Sequence, residues 1–129
     1  MDSEFQARLR SALRNANSSS KNLSAFSLDI EHYLKQTGIF SRIQLKKTGE
    51  PQRALLVRCQ LSDPSTSPST VVEQLQRVWA EAPLGYGGKY DAYELQQDSH
   101  AVQMNFVTVG SHGIVVTGEI VVSGFRLGA

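Results

Sequence analysis

Cysteine is almost missing from this chain of 129 residues: Cys59 is the one example, so no internal disulfide can form. A lone cysteine favours a reducing compartment over the oxidising ones in which disulfides persist. No apolar run approaches the ~20 residues of a membrane-spanning helix. The start of the chain, Met-Asp-Ser-Glu-Phe-Gln, lacks the basic residues and apolar centre of a secretion signal. We therefore expect a cytoplasmic protein with no membrane span.

An excess of one charge is also lacking, because the net charge is +1. The distribution is less even: residues 1–58 carry five more bases than acids, and residues 59–129 carry four more acids than bases. Such asymmetry is compatible with self-association, with an acidic partner for the first half, or with solvated surfaces that differ by chance. Counts this small favour the last explanation.

Recognisable catalytic and cofactor motifs are absent. The three histidines, His32, His100 and His112, do not have the spacing of metal ligands. Cys59 alternates with aliphatic residues in a strand-like run, which indicates a buried and unreactive thiol. The glycine-rich segment 84–90 follows a predicted helix and precedes a predicted strand, the reverse of the order in phosphate-binding loops. The sequence therefore predicts no catalytic residue, no metal site and no cofactor.

What the sequence does contain is a strong β-hairpin signal between Ala101 and Phe125. Two runs of branched and aromatic residues are separated by Gly-Ser-His-Gly, which is typical of two antiparallel strands and their turn. Alternation places Met104 and Phe106 on one face and polar Gln103 on the other. A two-stranded hairpin is marginal in water, so we expect further elements to cover its apolar face.

Those elements are predicted along the rest of the chain. Amphipathic periodicity predicts helices over 3–16, 24–37 and from about Pro68 to Ala82, the first two joined by a serine-rich linker at 17–22. Alternation predicts strands over 39–47, 53–61 and 89–96. The order α-α-β-β-α-β-β-β predicts an α+β fold with a mainly antiparallel sheet of about five strands and helices packed on one face. At this length we expect one domain over residues 1–129, with the tethered helix at 1–16 and the core at 23–125.

The predicted function depends on the other face of the sheet. Apolar residues are expected there among polar ones, and the tethered first helix has an apolar stripe of its own. This pattern is typical of a small non-enzymatic protein-interaction or assembly module, an adaptor or chaperone-like protein that binds a protein partner or forms a homo-oligomer. The expected interface residues are Phe5, Leu9, Leu13, Phe40, Leu56, Val115, Val121 and Phe125.

Two other functions remain open. One is a small-ligand-binding protein or enzyme with a pocket near the loop Gly85–Tyr90, where Tyr86, Lys89, Tyr90 and His100 are the candidate ligand-binding residues. The other is a binder of nucleic acid or an anionic surface. Arg42, Lys46 and Arg58 are expected to share the outer sheet face, together with arginines of the first helix. Because the last two strands have no outward Lys or Arg, this basic surface is small and the third function is the weakest.

Overall fold

The computed structural model describes residues 3–14, 20–48, 54–81, 92–98, 100–109 and 115–126. Within them, the chain forms three helices and one five-stranded sheet, which confirms the predicted α+β class and element order. The elements are α1 (Glu4–Arg14), α2 (Ser20–Gln36), β1 (Phe40–Thr48), β2 (Ala54–Leu61), α3 (Pro68–Glu81), β3 (Ala92–Gln97), β4 (Val102–Val109) and β5 (Val115–Ser123).

The sheet has the spatial order β1-β2-β5-β4-β3, with β1 and β3 at its edges. β1 pairs with β2, β3 with β4 and β4 with β5 in antiparallel fashion, and β2 with β5 is the one parallel pair. These pairings make β2 and β3 run in the same direction. The connection through α3 is therefore a crossover from β2, the second strand of the sheet, to the far edge at β3, as expected for the one link long enough to relate parallel strands.

Serine side chains cap two of the helices. The backbone N–H of Gln6 donates to Ser3 Oγ over 3.1 Å at the start of α1. At the start of α3, the N–H of Thr70 donates to Ser67 Oγ over 3.2 Å, and Pro68 occupies the first helical position, where its missing N–H does no harm. α2 begins at Ser20, four residues before the predicted Ser24, so the last three residues of the predicted linker are helical. Ser-Lys-Asn-Leu contains neither proline nor glycine, and nothing in it stops a helix.

The main core lies between the sheet and the pair α2 and α3. We call the sheet face on this side the inner face. Leu34 of α2 and Leu75 of α3 are fully buried against it. The inner-face residues buried in the same cluster are Leu55, Val57, Cys59 and Leu61 of β2, Val102, Met104 and Phe106 of β4, and Val116, Ile120 and Val122 of β5. Period-two alternation therefore predicted the inner face of these strands correctly.

α1 lies on the opposite, outer face, where it contacts β3 and β4. Phe5 is 7% exposed, and Val107, an outer-face residue of β4, is 0% exposed. Neither residue belongs to the main core cluster. Phe5 and Leu9 line a cleft together with outer-face Asn105. α2 and α3 therefore pack on one face of the sheet, as predicted, while α1 covers part of the outer face of its own chain.

Two aromatic residues expected on the outer face pack against the main core instead. The register of β1 shifts between Phe40 and Arg42, so Phe40 pairs with Leu61, an inner-face residue. A β-bulge of this kind turns the residues before it to the other face. Phe125 follows Gly124, whose φ of 95° ends the extended run of β5, and its side chain is 9% exposed within the core cluster. Neither residue is therefore an outer-face contact.

Candidate functional site

The outer face is divided into a part that α1 covers and a part that it leaves open. The covered part lies over β3 and β4, where Phe5 is buried and Leu9 is half-buried. These two predicted interface residues are therefore engaged within the chain. The side chains of Leu13 and Val115, also predicted for the interface, lie outside what the structure describes.

The open part, which we call the basic face, is the outer surface of β1, β2 and the adjoining half of β5. Its cross-strand pairs are Arg42 with Gln60, Gln44 with Arg58 and Lys46 with Leu56, and Arg58 pairs in turn with Val121. Of the predicted interface residues, Leu56 and Val121 lie here, and both are partly exposed. Two adjoining clefts, of about 350 and 150 Å³, share Gln44 and Arg58 in their walls.

The charges that β1 and β2 contribute to the basic face are all positive. Neither β1 nor β2 contains an acidic residue, and Arg42, Lys46 and Arg58 are all exposed. Across the part of the chain that the structure describes, none of these three cations forms an ion pair. Glu119 of β5 is the nearest acid by register, because it lies opposite Leu56. The surface therefore combines uncompensated positive charge with two aliphatic side chains.

A second concave feature lies at the β3 edge, between α1 and the end of α3. It is a cleft of about 460 Å³ whose lining includes Phe5 of α1, Trp79 of α3 and Tyr93 and Glu94 of β3. Sequence reasoning missed this cleft, although a lone tryptophan at the end of an amphipathic helix was a usable signal. The ligand-binding candidates Tyr86, Lys89 and Tyr90 lie outside the described residues.

His100, the fourth ligand-binding candidate, lies at the other end of β3 from this cleft. It is exposed in the turn between β3 and β4, where its backbone N–H donates to Asp98 Oδ1 over 2.6 Å. The N–H of Ala101 donates to the same oxygen over 2.8 Å. These two hydrogen bonds lower the pKa of the Asp98 carboxyl. The role of His100 here is a backbone contact in a turn, and it does not face the cleft.

The Asp98 turn predicts a pH dependence of stability. Because the pKa of Asp98 is lower in the folded protein than in the unfolded chain, its contribution is present above the unfolded value of 3.8 and is lost as the pH falls through the folded value. We expect Asp98→Ala to be less stable than the wild type at neutral pH, with a difference in the free energy of unfolding that shrinks as the pH is lowered below 3.8. Urea denaturation of both proteins at several pH values measures this difference in stability. Asp98→Asn, which keeps an acceptor without the charge, is the control. A difference that grows in acid would contradict this assignment.

Cys59 lies on the inner face and is 2% exposed. Burial raises the pKa of its thiol to about 12, so almost no thiolate forms at neutral pH. We expect no reaction with a thiol-specific disulfide reagent in the native protein and full reaction after unfolding in guanidinium. Rapid stoichiometric labelling of the native protein would instead indicate an accessible thiol.

Neither a metal centre nor a membrane helix is found in the described residues. In those ranges, no three His, Cys, Asp or Glu side chains come together in a way that could hold a metal ion. His32 is exposed on α2, and its Nε2 lies 3.1 Å from Gln36 Nε2. None of the helices described is long and apolar enough to cross a membrane.

Comparison of the chain with protein-family models, with curated proteins and with solved structures finds no match. Function is therefore inferred from the basic face described above.

Proposed function

We propose that this chain is a non-enzymatic protein-interaction module of the cytoplasm whose basic face binds an acidic segment of a partner protein. The observation that carries the proposal is the set of three exposed cations, Arg42, Lys46 and Arg58, on two adjacent strands that contain no acid. Complementary charge steers such a partner to the surface and sets its register.

The aliphatic side chains of the basic face supply the apolar contribution. Leu56 lies next to Lys46 on one side and Glu119 on the other, and Val121 lies next to Arg58. Both are partly exposed, so a bound segment removes apolar surface from water at about 25 cal/mol per Å². An acidic segment with interspersed apolar residues fits this arrangement.

A protein partner suits the surface better than a nucleic acid. Binding of single-stranded nucleic acid uses aromatic side chains on which bases stack. The aromatic residue expected on this surface, Phe40, is turned towards the main core. The remaining basic face offers charge and aliphatic contacts, which match an acidic polypeptide.

Fluorescence anisotropy with a labelled oligoglutamate peptide at low ionic strength tests the proposal. We expect saturable binding that weakens as salt is added, and a loss of affinity of about tenfold or more in the double variant Arg42→Glu/Arg58→Glu, since like charges then face each other. The matched control is Lys35→Glu/Arg77→Glu, which makes the same change of charge on α2 and α3. Equal loss in both variants, or no binding at low salt, would refute the basic face as the binding site.

Two further samples separate the alternatives. An oligonucleotide that binds more tightly than oligoglutamate would favour the nucleic-acid function. Size-exclusion chromatography with light scattering tests the predicted homo-oligomer, in which the acidic half of one copy serves as the partner of another. A monomer at all concentrations would leave a different protein as the partner.

A further inference from the structure

β1 is the edge strand of the sheet on the side of the basic face, and it is long enough to accept a further strand. It spans nine residues, Phe40–Thr48, and pairs with β2 on one side. Among the strands that the structure describes, none lies beyond it. The N–H and C=O groups of an edge strand that point away from the sheet are donors and acceptors for an extended peptide, which adds to the sheet as a new strand.

The outer row of β1 sets the charge that an added strand meets. Arg42, Gln44 and Lys46 follow one another along this row, and all three are exposed. Neighbouring strands lie about 4.8 Å apart, so side chains on the same face touch, and like charges repel there while opposite charges attract. A second copy of β1 would bring its own Arg42 and Lys46 to this row, and lysine on an edge strand is a common barrier to such pairing. The row therefore favours a strand whose outer residues are acidic.

The inner row of β1 contains aliphatic side chains that the core covers only in part. Ile43 pairs with Cys59 and Leu45 with Val57. Cys59 is 2% exposed and Val57 is 1% exposed, whereas Ile43 and Leu45 pack against the same core and remain half-buried. The inner face of the sheet is therefore less completely buried at this edge. Aliphatic side chains on the inner face of an added strand would lie beside Ile43 and Leu45 and remove apolar surface from water.

We propose that the acidic partner segment binds as an added strand at the edge of β1, and that acidic and aliphatic residues alternate along it. Successive side chains of a strand point to opposite faces of the sheet. The acids then lie beside Arg42 and Lys46 on the outer face, and the aliphatic residues lie beside Ile43 and Leu45 on the inner face. This inference rests on the proposed function, because it takes the basic face as the binding site and adds the conformation and the sequence pattern of the partner.

Two labelled peptides of the same composition test the sequence pattern. One strictly alternates glutamate and valine, and the other carries the same residues as a block of glutamates followed by a block of valines. Their charges are equal, so attraction to the basic face alone predicts similar affinities. We expect the alternating peptide to bind about fivefold or more tightly in fluorescence anisotropy at low ionic strength, since it alone matches both rows of β1 at once.

Methylation of the peptide backbone tests the added strand itself. The N–H groups of alternate residues in a strand point to the same side, so methylating the backbone nitrogens of all glutamates or of all valines blocks one edge of the alternating peptide in each case. We expect one methylated peptide to lose about tenfold or more in affinity and the other to bind like the parent, because one set of N–H groups faces β1 and the other faces water. Equal affinities of the two methylated peptides would overturn the proposal.

Leu45→Thr and Leu95→Thr are matched variants of the protein. Both leucines are half-buried on the inner face of an edge strand, Leu45 in β1 and Leu95 in β3. We expect Leu45→Thr to weaken binding of the alternating peptide by about threefold or more, because it removes apolar surface beside the added strand, and Leu95→Thr to leave it unchanged. Equal affinities of these two variants would also overturn the proposal.

The outcomes separate this inference from the proposed function. If the alternating and block peptides bind alike and Arg42→Glu/Arg58→Glu abolishes the binding of both, the basic face remains the binding site and the added strand is wrong. If neither peptide binds at low ionic strength, both the inference and the proposed function are wrong.

Discussion

Gly118→Ala is expected to destabilise the protein by about 3 kcal/mol, because the new methyl group has no space. Gly118 lies in β5 between Leu55 of β2 and Phe106 of β4. A Cβ there would overlap the ring of Phe106 and lie 2.7 Å from the carbonyl oxygen of Leu55. The Phe106 ring is itself buried in the core, and the Leu55 oxygen belongs to the backbone of a central strand. Neither can move away without disturbing its neighbours.

Urea denaturation followed by circular dichroism measures this effect. The double variant Gly118→Ala/Phe106→Leu tests its cause, since the smaller side chain removes the ring that the methyl group meets. We expect the double variant to be less destabilised than the sum of the two single changes, by an interaction of about 1 kcal/mol or more. Additive losses would show that crowding by Phe106 is not the reason for glycine at this position.

Leu34→Ala is expected to lower the free energy of unfolding by about 3 kcal/mol and the Tm by about 10 °C. Leu34 is 0% exposed, and it belongs to the cluster in which α2 meets the inner face of the sheet. Truncation removes buried methyl groups and leaves a cavity that the helix and the sheet cannot fill completely.

Leu28 provides a matched control on the same helix. It is 70% exposed, so Leu28→Ala makes the same chemical change where almost no burial is lost. We expect its effect to remain within about 0.5 kcal/mol. Thermal denaturation of the two variants compares them directly. Similar losses for both would contradict the assignment of which side of α2 faces the core.

The inner face could be predicted from the sequence because each strand there follows simple alternation. Val57 and Ile120 alternate with polar or partly exposed neighbours, and the register pairs them across β2 and β5. Phe40 and Phe125 could not be placed in this way. A bulge and a left-handed glycine break the period of two at these positions, and local sequence does not show where the strand stops being regular.

One candidate site could be predicted from the sequence, and the other could not. The cations of the basic face could be predicted because Arg42, Lys46 and Arg58 occupy outward positions of regular strands. The docking of α1 could not, since an amphipathic helix on a linker carries no information about the surface that it covers. The cleft at the β3 edge depends on that docking, because Phe5 of α1 and Glu94 of β3 both line it.

The division of the outer face into a covered part and an open basic face is the central claim, and amide NMR of the isotope-labelled protein tests it most directly. Oligoglutamate added at low ionic strength is predicted to shift the resonances of β1 and β2 around Arg42, Lys46 and Arg58, and to leave α2 and α3 unchanged. Shifts that cluster on the helices α2 and α3, or no shifts at saturating peptide, would contradict it.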